Sequence, residues 1–160
     1  TDISKYYPTI YTHSIPWAIH SKAVAKANRQ DDSYFGNNLD RAIREGQSGQ
    51  TIGIPIGTDT SRIVAEILGC TFDKMLKDKF GTLSGFRFVD DCYFYFDTQA
   101  KAEEVFNFFQ SILTDYGLDI NEEKTKIRKL PFPFENDWAI ELSNFSLRET
   151  QSGQRTDIKN

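Results

Sequence analysis

A chain of 160 residues, 39% apolar and 14% aromatic, is long enough to bury one hydrophobic core and belongs with single globular domains. Its formal net charge of −4 excludes a surface that wraps nucleic acid unaided, because phosphate contacts need clustered Lys and Arg. No apolar run reaches the roughly eighteen residues that span a bilayer, and Thr1-Asp2-Ile3-Ser4-Lys5 lacks the basic and apolar regions of a signal peptide, so a cytoplasmic setting without a membrane partner is expected.

In chain order, Asp2 to Ile10 reads as a short strand and turn. Ser14 then caps a helix with Pro16 in its first turn, running through Trp17 and Ile19 to about Asn28. Arg29 to Asn38 is a polar loop, and a short helix covers Leu39 to Glu45. The segment Gly53-Ile54-Pro55-Ile56-Gly57-Thr58-Asp59-Thr60-Ser61 leads into a longer helix that ends near Lys77, with Asp59 or Thr60 as its cap. Ile63, Val64, Ile67, Leu68 and Phe72 form its apolar stripe, and Lys74, Lys77 and Lys79 gather where the macrodipole favours cations.

Phe86 to Val89 and Cys92 to Phe96 are aromatic and β-branched runs separated by two residues, the spacing of a tight hairpin with Asp90-Asp91 as its turn. Two adjacent aspartates lack the glycine such turns favour, and they repel each other. One reading is a solvated loop; the other is a site where a cation offsets the repulsion. A helix from Thr98 to Tyr116 follows, with Val105, Phe109, Ile112, Leu113 and Tyr116 on one face and Gly117 as its stop. Leu118 to Ile127 passes from a short strand through a polar turn into another strand. Pro131 and Pro133 forbid regular structure from Leu130 to Glu135, Trp138 to Leu142 alternates like a strand, and residues from about Thr150 are polar. The alternation of strands and helices implies one α+β domain.

Cys70 and Cys92 lie in apolar contexts without metal-ligand spacing and read as reduced core residues. His13 and His20 belong to no His-Glu-x-x-His or Cys/His pattern and read as structural. Lys124 alone is a solvated strand residue, and Tyr6 and Tyr7 alone would alternate between core and surface.

Four segments, in this order, resemble the palm motifs of reverse transcriptases. Asp2-Ile3-Ser4-Lys5-Tyr6-Tyr7 is similar to the first, an aspartate followed five positions later by an aromatic residue. Gly53-Ile54-Pro55-Ile56-Gly57 with Ser61 resembles the second, Phe88-Val89-Asp90-Asp91 the aromatic-x-Asp-Asp motif, and Gly117-Leu118-Asp119-Ile120-Asn121 to Lys124-Thr125 the glycine-leucine to lysine-threonine motif. The ordered set covers about Asp2 to Ile127. Its wording in Tyr6 to Trp17 and Ile54 to Arg62 is most similar to bacterial abortive-infection and antiphage-defence reverse transcriptases.

The resemblance implies a polymerase palm, an antiparallel sheet with helices packed on one face, over residues 1–149, with a polar tail at 150–160. It implies nucleotidyl transfer from a deoxynucleoside triphosphate to a primer on a nucleic acid template. Two Mg²⁺ ions, with Mn²⁺ as a substitute, would be held by Asp2 and Asp90, helped by the Ile3 carbonyl, with Asp91 turned away in support. Tyr7 would stand under the incoming sugar and exclude a 2′-hydroxyl, and Lys124 would neutralise or protonate the departing pyrophosphate. Ile56, Gly57 and Ser61 would line the nucleotide or template, with free amides of Thr60 and Ser61 facing an anion. Ile56 departs from the retroviral pattern, which carries a glutamine after the proline.

The chain starts just before its first implied ligand, so an excised palm is expected, with fingers and thumb elsewhere, inactive alone, and a homo-oligomer compatible with the full-length protein. Two alternatives stand beside templated copying. One is template-independent, protein-primed DNA synthesis of the abortive-infection type. The other is an inactive RNA-binding or assembly scaffold, against which the three aspartates count. A palm-type nucleotide cyclase would carry a Gly-Gly-Asp/Glu turn, which this sequence lacks.

Overall fold

The computed structural model describes residues 1–129. Thr1–Ile127 forms one compact unit, and a second begins at Arg128. The expected irregular stretch at Leu130 to Glu135, the strand at Trp138 to Leu142 and the boundary at 149 lie outside the described residues.

The unit is α+β. β1 (Ser84–Phe88) and β2 (Asp91–Tyr95) pair antiparallel, with Phe88 opposite Asp91 and Ser84 opposite Tyr95. The two-residue turn is therefore Val89-Asp90, and the expected Asp90-Asp91 turn is corrected. Val89 takes the positive φ, 56°, which its β-branched side chain disfavours. Cross-strand pairing outweighs that local cost: the observed register stacks Phe86 on Tyr93, with ring centroids 4.9 Å apart, and brings Asp91 into the strand.

The N-terminal segment extends this sheet. Asp2 bridges Asp91 on one side, and Ile3 bridges Ile120 on the other. Main-chain bonds from Cys92 N–H to the Thr1 carbonyl (2.8 Å), from Ile3 N–H to Asp90 (3.1 Å) and from Asn121 N–H to Asp2 (2.9 Å) fix that order. Four chain segments thus lie side by side, although only the hairpin is a regular ladder. The extended path ends at Lys5, whose φ of 46° turns the chain into the short helix α1 (Tyr6–Thr9). Of the short strand and turn expected over Asp2 to Ile10, the later part is this helix rather than a turn.

The helix expected from Ser14 to Asn28 is two helices, α2 (Ser14–His20) and α3 (Lys22–Ala27). Ser21, with φ 78°, breaks the run and caps α3 by accepting the Val24 N–H, while Ser14 is the buried first residue of α2 rather than its cap. α4 (Phe35–Gly46) starts earlier than the expected Leu39. α5 (Asp59–Phe80) is capped by Thr58, not by Asp59 or Thr60, and ends at Gly81 with φ 76°. α6 (Gln99–Asp115) is capped by Thr98 and stops at Gly117, also at positive φ, as its sequence predicts.

The core lies between sheet and helices. Val64, Leu68, Phe72 and Leu76 of α5 meet Val105, Phe109, Ile112 and Leu113 of α6, with Ile3, Cys92, Leu118 and Ile120 from the extended segments. α2 packs on α3, α4 and α5. The α5 stripe is narrower than expected. Ile63 is 60% exposed and Ile67 only half-buried, because the inward positions run Ser61, Val64-Ala65, Leu68-Gly69, Phe72 and Leu76. Cys70 falls on the solvent side of that helix and is exposed, which corrects its expected core position; Cys92 is buried and free.

Candidate active site

Alternation along the hairpin sets two faces. Arg87, Cys92 and Phe94 turn toward the helices, while Phe86, Phe88, Asp91, Tyr93 and Tyr95 share the open face. The bridge between Asp2 and Asp91 puts these residues directly opposite each other. The main-chain bonds flank the bridge rather than join its two residues, so this is the close type of antiparallel pair, in which side chains approach most nearly. Asp91, expected in a supporting place beside the ions, is the cross-strand neighbour of Asp2.

Two carboxylates facing each other repel, and the chain answers with Lys124. Its Nζ donates to Asp2 Oδ2 at 3.0 Å, joining the fourth motif to the first across more than a hundred residues. The Asp2 side chain is 7% exposed and that of Lys124 64%, so a buried anion is paired with a cation that still reaches solvent. The hydrogen bond to Asp2, and then its charge, hold the Lys124 ammonium above its ordinary range. Asp90 stands at the turn beside both carboxylates. Burial first, then the charges of Asp2 and Asp91, push its carboxyl above the usual range, and Lys124 acts in the opposite sense.

The turn is held from two directions. Ile3 N–H donates to the Asp90 carbonyl, and Arg87 Nη1 donates to the Val89 carbonyl at 3.0 Å. Among the described residues, Ile3 sits in this pairing between the Asp90 carbonyl and the Ile120 segment. Also among them, no group of three or more His, Cys, Asp or Glu side chains is gathered closely enough to hold a metal ion. Two carboxylates and one main-chain carbonyl suit Mg²⁺ nonetheless, since that ion commonly takes one or two carboxylates and completes its shell with water and substrate phosphates.

The other expected residues are placed by the backbone. Ile54 N–H donates to the Tyr7 carbonyl at 3.0 Å and Gly53 N–H to Ile10 at 2.8 Å, so the first and second motifs run together. Tyr6 is the core residue of the tyrosine pair, 2% exposed, with its hydroxyl donating to the Ala65 carbonyl at 2.8 Å; Tyr7 is half-buried against it. Gly53 has φ 82°, and a side chain there would press on the Pro8 carbonyl. Ile56 is 73% exposed, and Gly57, with φ 95°, lies in open space.

The expected free amide of Ser61 is corrected. Ser61 is buried, its N–H donates to Thr58 Oγ1 at 3.3 Å, and its hydroxyl accepts from the Thr58 hydroxyl at 2.8 Å. The cap consumes the donor, and the Asp59 carboxylate in the first turn disfavours an anion there.

Sequence reasoning missed Arg87, Glu66, Asp73 and Gly69. The signal was available in the alternation, which places Arg87 on the same inward face as Cys92, where a guanidinium demands partners.

No curated protein matches the chain. No described helix is long and apolar enough to cross a membrane. The family model for reverse transcriptase (RNA-dependent DNA polymerase) matches residues 2–140. The chain that sets Asp2 against Asp90-Asp91 and closes the group with Lys124 belongs to the reverse transcriptase family.

Proposed function

We propose that this domain joins deoxynucleotides to a primer 3′-hydroxyl through Asp2 and Asp90, copying RNA into DNA. The observation that carries the reading is the position of Thr1–Ser4 between the hairpin and the Asp119–Asn121 segment, which brings Asp2 beside Asp91 and the Asp90 turn and within reach of Lys124. The hard oxygen donors and their mutual repulsion suit Mg²⁺, or Mn²⁺ in its place, held by Asp2, Asp90 and the Ile3 carbonyl with Asp91 alongside. Such ions, when bound, supply an activated 3′-hydroxyl and charge relief for the leaving pyrophosphate.

The remaining work belongs to the chain. Asp2 and Asp90 orient the reacting groups, the Tyr7 ring excludes a 2′-hydroxyl, and the exposed ammonium of Lys124 moves from Asp2 to the departing pyrophosphate. The wording of Tyr6 to Trp17 and Ile54 to Arg62 supports a role in phage defence of the abortive-infection type.

A second reading, template-independent and protein-primed synthesis, is favoured by Ile56, an exposed apolar residue where the retroviral pattern carries glutamine. The test is incorporation by the full-length protein on a primed RNA of defined sequence. Complementary DNA supports copying and unrelated DNA supports the second reading, while an Asp90→Asn variant that retains incorporation rejects both. Asp90→Asn is expected to lower the rate by about a hundred-fold or more.

A further inference from the structure

Arg87 lies on the inward face of the hairpin with its side chain only 7% exposed. Such a group is retained only if its donors are met. Nε donates to Asp73 Oδ2 at 3.1 Å, and Nη2 reaches Asp73 Oδ2 and Glu66 Oε2, each at 3.0 Å. Nη1 donates to Glu66 Oε1 at 3.2 Å and to the Val89 carbonyl at 3.0 Å. A guanidinium has five N–H donors in a planar fork, and here two carboxylates and one carbonyl take them all. Both carboxylates stand on α5, seven residues apart, on either side of Gly69. A Cβ on Gly69 would overlap the guanidinium, so the glycine leaves the space in which the fork lies.

The carbonyl it grips belongs to Val89, the residue at φ 56° immediately before Asp90. A valine in that conformation is strained and persists only where its surroundings hold it. The nearby like charges of Asp2, Asp90 and Asp91 add to the load on the turn. We infer that Arg87 is a positioning residue for the proposed nucleotidyl transfer: clamped to α5 by Glu66 and Asp73, it fixes the Val89 carbonyl and thereby the direction in which Asp90 leaves the turn. The inference rests on the reading above. It goes beyond that reading by assigning a role to a residue whose bonds go to Glu66, Asp73 and the Val89 carbonyl rather than to the carboxylates of the site.

The experiment uses the full-length protein on a primed RNA template, with dNTP and Mg²⁺ titrations and a thermal melt for every variant. Arg87→Met removes the fork and keeps much of the apolar stem. It is expected to lower kcat by about ten- to a hundred-fold, with KM for dNTP little changed, and to raise the Mg²⁺ concentration at half-maximal rate. Arg87→Lys is not expected to restore activity, because one ammonium cannot span Glu66, Asp73 and the Val89 carbonyl together. The double variant Glu66→Gln with Asp73→Asn leaves Arg87 in place but loosens its clamp; each replacement keeps an amide oxygen that can accept from the fork, and the melt reads whether this variant folds. It is expected to show the same kcat loss in weaker form. Wild-type kcat and Mg²⁺ requirement in folded Arg87→Met, or in the double variant should Arg87→Met not fold, overturn the inference while Asp90→Asn remains inactive. Activity surviving in Asp90→Asn overturns the parent reading and this inference with it.

Discussion

Tyr6→Phe isolates one hydrogen bond at the joint between the first motif and α5. The ring is 2% exposed and its hydroxyl donates to the Ala65 carbonyl at 2.8 Å. Phenylalanine preserves the ring, so no cavity opens, and the loss is one buried bond, about 1 kcal/mol near pH 8. Burial holds the Tyr6 phenol well above its ordinary value of 10.0, so the native state keeps a proton that the unfolded chain releases above that pH. Wild-type stability then falls by about 1.4 kcal/mol per pH unit on account of this group, a dependence the variant lacks. By pH 11 that loss is about 1.4 kcal/mol and exceeds the hydrogen bond, so the two stability curves cross near pH ~10.6. Every other tyrosine is common to both proteins and cancels in the difference. Urea unfolding followed by tryptophan fluorescence at half-unit steps from about pH 8 to 11 measures the crossing. Parallel curves over that range would mean that Tyr6 ionises in the native protein, and the buried phenol would be refuted.

Phe72 is fully buried against Tyr116, with ring centroids 5.1 Å apart, and Phe72→Ala is expected to cost about 3–5 kcal/mol, visible as a large drop in urea midpoint. The cysteines should separate under a thiol reagent. Burial pushes the Cys92 thiol up to about 12, leaving on the order of one part in 10⁴ as thiolate at pH 8, whereas Cys70 is exposed on α5. One equivalent should label in native protein and the second only in denaturant; labelling of both in native protein would place Cys92 at the surface. Gly117→Ala, at φ 76°, should lower stability by about 1 kcal/mol by forcing a side chain into the left-handed region at the end of α6, and an unchanged melt would contradict that geometry.

The parts legible in the sequence are those where local and tertiary preferences agree. α6 shows this well: Thr98 caps it, Gly117 ends it, and its stripe from Val105 to Tyr116 is buried as its spacing requires. The two faces of the hairpin follow from alternation alone. The break at Ser21 was not legible, because Ile19-His20-Ser21-Lys22 contains neither Gly nor Pro and the positive-φ residue is an exposed serine whose side chain caps α3. The cap of α5 was ambiguous for a different reason: Thr58, Asp59, Thr60 and Ser61 can all cap, and only the folded backbone selects Thr58. The Ser61 amide was misread as free because it depended on that choice.

The turn position shows how a local rule loses to pairing. Adjacent aspartates mark a bend by composition, yet pairing at Asp91 lets the strand add the N-terminal segment through Cys92 N–H and the Asp90 carbonyl, two main-chain bonds that a turn residue at Asp91 would put at risk. The cost is a valine at positive φ and two carboxylates facing each other across the bridge. Lys124 offsets the second cost at Asp2, and the Arg87 fork holds the first at the Val89 carbonyl. Asp2 and Asp91 are thus fixed by the sheet itself, whereas Asp90 has no ladder partner and takes its direction from the residues that grip the turn. That asymmetry is why an altered Arg87 should be felt through Asp90, while substitutions at the exposed ring of Phe86 should leave the carboxylates where they are.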